Sequence, residues 1–322
     1  MNIVFLGSGA FAIPSLHAIA DSSHRIVQVL SQPDRPAGRG KKLTPTAVAQ
    51  WAMDREVPLT RTDHANAPDV LNQLRDLAPA CIVVIAFGQK LSPELLSIAP
   101  HGGINLHSSL LPKYRGAAPI NWAVINGDAE AGVSVIEVTA VMDAGAILAE
   151  ARTAVGDAET AGELHDRLAR LGGPLLPRVL DALEAGIVER RPQEAALATR
   201  APKLSRELAW VDFTADARAV SARIRGLSPW PGVQVELLDA QGQVRATAAI
   251  LKCRALAGGA HDAERCGLVL ADRSVACGSG SLELLTLQPA GKKPMDGAAF
   301  ANGYGLAPGA RLRSVVAPAE HS

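Results

Sequence analysis

The sequence predicts an α/β protein with an open, mainly parallel sheet, followed by a C-terminal β-barrel. In the N-terminal part, short apolar runs alternate with helical stretches, which is typical of β-α-β units. The run CIVVIAF at 81–87 is apolar throughout, as expected of a parallel strand that is covered on both faces. Later in the chain, short apolar runs are separated by Gly, Asp and Arg turns, which indicates a small barrel.

The N-terminal elements follow one another in the order of a Rossmann-like sheet. Apolar runs bounded by turns predict the strands, and apolar residues at helical spacing predict the helices. We expect strands at 2–7, 26–30, 81–87, 102–107, 132–139 and 146–153, and helices at 11–19, 44–55, 67–77 and within 160–186. These elements predict a first domain over residues 1–187.

The periodicity fails after Gly186, where the chain becomes polar, rich in Pro and slightly basic. Residues 188–207 are therefore predicted to form a linker. The runs VQVELLD, VRATAAILKC, GLVLA, SVACG and LELLTLQ predict the strands of a barrel domain over residues 208–315, with a tail at 316–322.

Composition excludes several classes of protein. The chain has 322 residues with 32 basic and 32 acidic side chains, so its overall charge does not indicate nucleic-acid binding. It has no apolar run near the ~20 residues of a membrane span, and its start lacks a signal peptide, which predicts a cytoplasmic protein. The four cysteines form no C-x-x-C pair and have no His at metal-binding spacing. We expect reduced structural thiols and no metal.

The first turn fits the pattern G-x-G-x-x-A, with Gly7, Gly9 and Ala12 after a strand. Asp34, ~20 residues further on, is where a ribose ligand is expected in dinucleotide-binding proteins. However, a strand-to-helix turn needs glycine anyway, and Asp34 follows Pro33 in a basic loop. A structural turn is the preferred interpretation, and an NAD-dependent dehydrogenase is an alternative that NADH binding would reveal.

A second pattern, Asn105-Leu106-His107, carries the stronger functional signal. Two residues that are two apart on a strand point to the same side. The strand then breaks into a polar, Pro-containing loop, and open α/β sheets bind ligands at such strand ends. In the same loop, Arg115 and Gly116 offer a charge beside an unhindered backbone.

Residues 32–43 hold the densest short basic run: Arg35, Arg39, Lys41 and Lys42 stand against one acid, Asp34. Arg39 lies between two glycines, which predicts a mobile loop. By composition alone, a solvated loop is the simplest interpretation.

The stretch HSSLLPKYRGAAPI at 107–120 resembles the signature loop of the folate-dependent formyltransferases. QPDRPAGRGKKL at 32–43 resembles the loop inserted in those members that act on methionyl-tRNA. Further similarities are NGDAEAGVSV, VMDAGAIL, SPWPG and LQPAGKKPM, so that the resemblance covers nearly the full length. The first turn departs from the family, which more often has G-T-P-acid-F.

The resemblance implies transfer of a formyl group from 10-formyltetrahydrofolate to the amino group of methionyl initiator tRNA. It also implies a catalytic trio of Asn105, His107 and Asp143. Amide and imidazole groups suit the tetrahedral oxyanion that forms when an amine attacks a formyl carbon. Asp143 would orient His107 or a water that carries the amine proton. The division of these roles stays open.

The same resemblance implies the binding residues. The folate is expected against Ser109, Leu110, Leu111, Pro112, Phe87, Gly88 and Leu91. The tRNA is expected against Arg39, Lys41, Lys42, Lys203, Lys292 and Lys293, with an OB-like barrel helping to hold it. The protein is expected to be a monomer that does not contact membranes.

Three alternatives share parts of this pattern. A formyltransferase acting on a sugar nucleotide or on glycinamide ribonucleotide would use the same trio, although the Arg39 loop and the barrel favour tRNA. A folate hydrolase would use water in place of the amine and release formate. An RNA-binding module without catalysis would not need the intact trio.

Overall fold

The computed structural model describes residues 1–37, 40 and 42–315. Contacts between residues divide the chain into two compact units, each made of several stretches. Unit 1 comprises Met1–Gly116, Gly132–Thr153 and His165–Arg200. Unit 2 comprises Ala117–Ala131, Ala154–Leu164 and the chain from Ala201 onwards. The domain bounds expected from the sequence stay a prediction.

The two units are built from strands and helices of very different lengths. The strands are β1 (Asn2–Gly7), β2 (Arg25–Ser31), β3 (Arg35–Ala37), β4 (Lys42–Thr44), β5 (Leu59–Arg61), β6 (Cys81–Ile85), β7 (Gly103–His107), β8 (Arg115–Gly116), β9 (Glu130–Glu137), β10 (Ile147–Ala154), β11 (Arg200–Ala201), β12 (Val233–Leu238), β13 (Val244–Ala260), β14 (Val275–Ala276), β15 (Ser279–Pro289), β16 (Met295–Asp296) and β17 (Arg311–Ser314). The α-helices are α1 (Ile13–Ala20), α2 (Ala47–Asp54), α3 (Pro68–Leu77), α4 (Pro93–Leu96), α5 (Pro119–Ile125), α6 (Ala161–Gly172), α7 (Leu175–Glu184), α8 (Ala217–Gly226) and α9 (Gly297–Tyr304).

Unit 1 is organised around a seven-stranded sheet with the order β10-β9-β7-β6-β1-β2-β5. Neighbours from β5 to β7 are parallel, and β9 runs antiparallel to β7. The predicted open, mainly parallel sheet is confirmed. Sequence analysis missed β5, because three residues of mixed character give no periodicity.

Apolar side chains of the sheet and of its helices are buried against one another. On one face, Leu6 and Ile82 from the sheet pack with Leu74 of α3, and all three are fully buried. Burying each such side chain contributes ~1.5–3 kcal/mol. Helix α7 buries Leu176, Val179, Leu180 and Leu183, a spacing that made the helix predictable from sequence.

The glycine turn after β1 is explained by close packing. A Cβ on Gly7 would lie 2.8 Å from Phe5 Cε1 and 2.9 Å from Ile85 O, so only glycine fits beside β6. Asp34 Oδ1 is paired with Arg61 Nε at 3.0 Å. The turn and the acid therefore both have structural partners.

Unit 2 contains an antiparallel sheet with the order β14-β15-β13-β12-β17, and β16 pairs with β15. Two single bridges, Leu268 with Arg311 and Val269 with Val275, connect β17 back to β14. These bridges nearly close the sheet into a barrel, which confirms the predicted C-terminal β-barrel.

Three helices of unit 2, α5, α8 and α9, were not predicted. Helix α8 begins at Asp216, whose carboxylate accepts from Arg218 N at 2.8 Å, and it buries Val220 and Ile224. It packs against β13 and α5. Helix α9 is capped in the same way by Asp296. The apolar spacing of α8 was available in the sequence, but the neighbouring short runs favoured strands.

The cysteines are reduced and buried, and the helices are those of a protein without an apparent membrane span among its described residues. All four cysteines are buried free thiols. Burial raises the pKa of Cys81 to about 12 and that of Cys253 to about 11, so these two thiols stay protonated near neutral pH. None of the helices formed by the described residues has the length and apolar character that a membrane span requires.

Candidate active site

The candidate site is built on β7, at the carboxyl edge of the parallel sheet. Asn105 and His107 alternate with the buried Leu106, so both side chains lie on the same face of the strand. His107 is buried and Asn105 is half-buried. The Asn105 amide has no hydrogen-bond partner among the residues that the structure describes, which leaves it available to a substrate.

The two ring nitrogens of His107 have different partners. Nε2 lies 2.9 Å from the carbonyl oxygen of Tyr114, and Nδ1 lies 3.7 Å from Asp143 Oδ1. Because a carbonyl oxygen only accepts, Nε2 carries the proton and Nδ1 is the nitrogen that can exchange one. The structure thus brings two of the three predicted catalytic residues together.

Asp143 lies in the loop between β9 and β10. Its Oδ2 accepts a hydrogen bond from Gly116 N at 2.9 Å, and its side chain is 13% exposed. Close packing at Gly145 holds this loop on the end of β9, where Glu137 N donates to Ala146 O at 3.0 Å. The carboxylate is therefore fixed between His107 and the backbone of β8.

The loops after β6 and β7 and the loop before β10 each contain a residue with a strained backbone conformation. Six non-glycine residues of the described chain have positive φ, and three of them are Ala86, Tyr114 and Asp143. Ala86 follows β6, Tyr114 follows β7 at a distance of seven residues, and Asp143 precedes β10. Strained backbone of this kind collects at functional sites.

The residues expected to bind folate after β6 use their side chains for packing. Phe87 and Leu91 are buried in the same apolar core as Leu95. Phe87 O accepts a hydrogen bond from Gln32 Nε2 at 2.9 Å. Gly88 has φ +80°, and a Cβ at this position would lie 2.7 Å from the same Gln32 nitrogen. Phe87, Gly88 and Leu91 therefore offer mainly their backbone groups to a ligand.

The other residues expected to bind folate, Ser109 to Pro112, lie in the loop after β7, at the same edge of the sheet. Ser109 Oγ donates to Lys113 O at 2.6 Å. Leu111 packs with Ile136 and Ile147, and Leu110 covers Gly132. Pro112 is half-buried. The internal bonds of this loop fix its shape. Because β6 and β7 are adjacent parallel strands, this loop lies at the same edge of the sheet as the loop after β6.

The cations expected to contact tRNA divide between the two units. Lys42 is exposed on β4, which pairs with β3 as a hairpin, and it lies opposite Ala37. Arg39 and Lys41 lie outside the described residues. The expected cations of unit 2, Lys203, Lys292 and Lys293, are exposed. The last two are in the turn between β15 and β16.

Gln193 and Thr199 hold the site loops, and sequence analysis missed both. Gln193 Nε2 donates to Asp143 O and to Gly145 O, each at 2.8 Å, and its Oε1 accepts from Arg115. Thr199 Oγ1 accepts from Tyr114 N at 2.9 Å. Both residues lie in the stretch predicted as a linker, where no local pattern distinguishes them.

A separate group of side chains has the arrangement of metal ligands. Among the described residues, the ligand atoms of His24, Asp181 and Glu184 lie within 4.8 Å of one another. The α-amino nitrogen of Met1 is 3.1 Å from His24 Nδ1 and 3.3 Å from Glu184 Oε1, so a cation already faces this group. None of the three predicted catalytic residues belongs to it.

Comparison with known proteins identifies the family. Residues 1–180 match the formyl transferase family, and residues 203–305 match the formyl transferase C-terminal domain. The chain belongs to the formyl transferase family. The predicted family and enzyme class are therefore confirmed, and the N-terminal match contains Asn105, His107 and Asp143.

Several methionyl-tRNA formyltransferases are similar to this chain over almost its full length. The methionyl-tRNA formyltransferase of Pelobacter propionicus is 40% identical over 315 residues, which is 97% of this chain and 96% of the relative. That of Moorella thermoacetica is 40% identical over 320 residues, 98% of this chain and 100% of the relative.

Solved structures share the formyl transferase fold at lower identity. The sugar 3N-formyl transferase WlaRD, solved in the presence of dTDP and 5-N-formyl-THF, covers 91% of this chain and 99% of its own at 15% identity, with a TM-score of 0.62. HypX from Aquifex aeolicus, solved with tetrahydrofolic acid, covers 94% of this chain and 47% of its own at 16% identity, with a TM-score of 0.56.

Proposed function

We propose that this formyl transferase moves the formyl group of 10-formyltetrahydrofolate to the amino group of methionyl initiator tRNA. The observation that carries this function is the 40% identity, over almost the full length, to enzymes named methionyl-tRNA formyltransferase. The sugar formyl transferase covers 91% of the chain but is only 15% identical. The difference in identity favours tRNA over a sugar nucleotide as the acceptor.

We propose a role for each member of the trio. The amine attacks the formyl carbon, and the Asn105 amide donates a hydrogen bond to the oxyanion that forms. His107 Nδ1 takes the proton that the amine loses, and Asp143 stabilises the charged ring. The bond from the formyl carbon to the folate nitrogen then breaks, and the proton passes to that nitrogen. A new C–N bond replaces the old one without net proton uptake.

The folate lies at the carboxyl edge of β6 and β7. A pterin has an amide-like edge and flat faces, which suit exposed peptide groups beside apolar walls. The backbone of Phe87, Gly88 and Leu91 supplies peptide groups on one side of the pterin. The loop from Ser109 to Pro112 lies on the other side. WlaRD and HypX were solved with folates, which supports a folate donor in this fold.

The acceptor tRNA binds through local clusters of cations, because the whole chain has no net charge. Arg39, Lys41 and Lys42 meet the end of the tRNA that carries methionine, and Lys203, Lys292 and Lys293 contact phosphates further along it. The enzyme acts as a cytoplasmic monomer and needs no metal. The exposed Lys42, Lys203, Lys292 and Lys293 are accessible to such a partner.

Purified protein with labelled 10-formyltetrahydrofolate is expected to formylate methionyl initiator tRNA in the presence of EDTA. The reason is that the trio supplies a donor and a base without a metal ligand set. The control acceptors are an amino-sugar nucleotide, glycinamide ribonucleotide and water, with formate release as the readout for water. Faster transfer to a control acceptor would contradict the tRNA assignment. Loss of activity with EDTA and its recovery with zinc would contradict the metal-free mechanism, and NADH binding would revive the dehydrogenase alternative.

Arg39→Ala is expected to slow formylation of methionyl-tRNA while leaving folate binding unchanged. Arg39 is remote in sequence from the catalytic trio, and its cation suits the phosphates of tRNA, so the effect requires the tRNA. Lys42→Ala, on the neighbouring strand β4, should reduce the rate less and lower the salt dependence as one phosphate contact is lost. Initial rates over a range of tRNA concentrations at several salt concentrations measure both effects. Unchanged kinetics for Arg39→Ala would support a simply solvated loop.

A further inference from the structure

We propose that Gln193 is a positioning residue for formyl transfer, which acts by holding Asp143 against His107. This inference rests on the proposed function and adds to it a residue from outside the signature loops. The side-chain amide of Gln193 lies between the Asp143 loop and the Arg115 loop, and it bonds to both.

The carboxamide uses its full bonding capacity toward these two loops. Nε2 has two hydrogens, which go to Asp143 O and Gly145 O at 2.8 Å each. Oε1 has two lone pairs, which accept from Arg115 Nε at 3.1 Å and Arg115 Nη2 at 2.6 Å. Only an amide offers two donors and two acceptor positions in one planar group, so a carboxylate of the same shape cannot replace it.

The conformation of the Asp143 loop depends on the hydrogen bond that Gln193 donates to Asp143 O. Asp143 has φ 54°, a left-handed conformation that is unfavourable for a residue with a side chain. Its carbonyl oxygen is fixed by Gln193, and its carboxylate is fixed by Gly116 N. Without the first of these bonds, the residue can return to a favoured backbone conformation, which would move the carboxylate away from His107.

The other loop fixes the imidazole. Tyr114 O receives the hydrogen bond of His107 Nε2, and Arg115, the next residue, is bonded to Gln193. Thr199 O also accepts from Arg115 N at 2.9 Å. One side chain therefore ties the loop that orients the ring to the loop that carries the carboxylate, and it sets the 3.7 Å separation of Nδ1 and Oδ1.

A merely structural role would give a different result. If Gln193 only anchored the polypeptide between α7 and β11, its replacement would lower stability and would affect every activity measurement by the same factor. A positioning residue acts through Asp143, so its effect must disappear when Asp143 is absent. This difference makes a double-mutant cycle decisive.

The test uses Gln193→Leu, which removes all four bonds, and Gln193→Glu, which keeps the acceptors but loses both donors. We expect each to lower kcat for methionyl-tRNA about 10-fold, with KM for both substrates changed less than about twofold. In the Asp143→Ala background, Gln193→Leu should have almost no further effect. Gln73→Glu and Gln73→Leu are matched controls on α3, where Gln73 accepts one bond from Thr60, and they should leave kcat unchanged.

Thermal unfolding and hydrogen exchange complete the experiment. Both Gln193 variants should unfold near the wild-type temperature, and amide exchange should rise at residues 143–146. A 10-fold loss that persists in the Asp143→Ala background, or normal kcat in both variants, would overturn the proposal. An inactive wild-type enzyme would instead refute the proposed function, and unchanged exchange at residues 143–146 would then refute the positioning of the loop.

Discussion

Replacing Asp143 by alanine is expected to lower kcat by ~100 to 1,000-fold, and Asn105→Ala and His107→Ala should have effects of the same size. In the proposed mechanism, these groups act on charge that is present only in the transition state: the Asn105 amide stabilises the oxyanion, and Asp143 stabilises the imidazole after it has taken a proton. Folate affinity should change much less, because we propose that the folate is held mainly by the backbone of neighbouring loops.

Two further variants separate charge from position at Asp143. Asp143→Asn retains an oxygen that can accept from Gly116 N but removes the negative charge that faces His107. If the charge matters, this variant should lose almost as much kcat as Asp143→Ala. Single-turnover rates with saturating folate, together with equilibrium binding of the folate, measure the two contributions. Near-normal turnover in any of the three alanine variants would remove that residue from the mechanism.

The extent to which the fold followed from sequence depended on the length of each element. Strands β1 and β6 and helix α7 are long enough for their apolar spacing to identify them. Short β5 and the two-residue strands give no such pattern. Helix α8 was missed for another reason: its buried Val220 and Ile224 stand among polar residues, in a region where short runs indicated strands.

The candidate site could be predicted only where its residues are close in sequence. Asn105 and His107 share a strand, and their spacing showed that they face one side. Asp143 entered through a resemblance, and the structure places it beside His107. Gln193 is separated from Arg115 by 78 residues and from Asp143 by 50, so no local pattern connects them. Contacts at such distances follow from the folded backbone, which periodicity and motifs do not specify.

The tightest packing in the site loops is at Gly145. A Cβ at this position would lie 1.9 Å from Glu137 O and 2.7 Å from Glu137 C. Both are backbone atoms at the end of β9, so no side chain can rotate to make room. Restoring an ordinary contact of 3.4 Å requires a shift of about 1.5 Å, the difference between the two distances.

Gly145→Ala is therefore expected to lower kcat ~100-fold, because a displacement of about 1 Å in a catalytic group has an effect of that order. The shift would stretch the Gln193 bond to Gly145 O and carry Asp143 away from His107. The added methyl group should also reduce the free energy of unfolding by ~1–3 kcal/mol. Gly259→Ala on β13 is the matched control, since a Cβ there meets nothing within 4 Å, and it should leave both quantities almost unchanged. Single-turnover kinetics and chemical denaturation of the two variants provide the comparison. A Gly145→Ala enzyme with normal kcat would show that the reaction tolerates a displaced Asp143 loop.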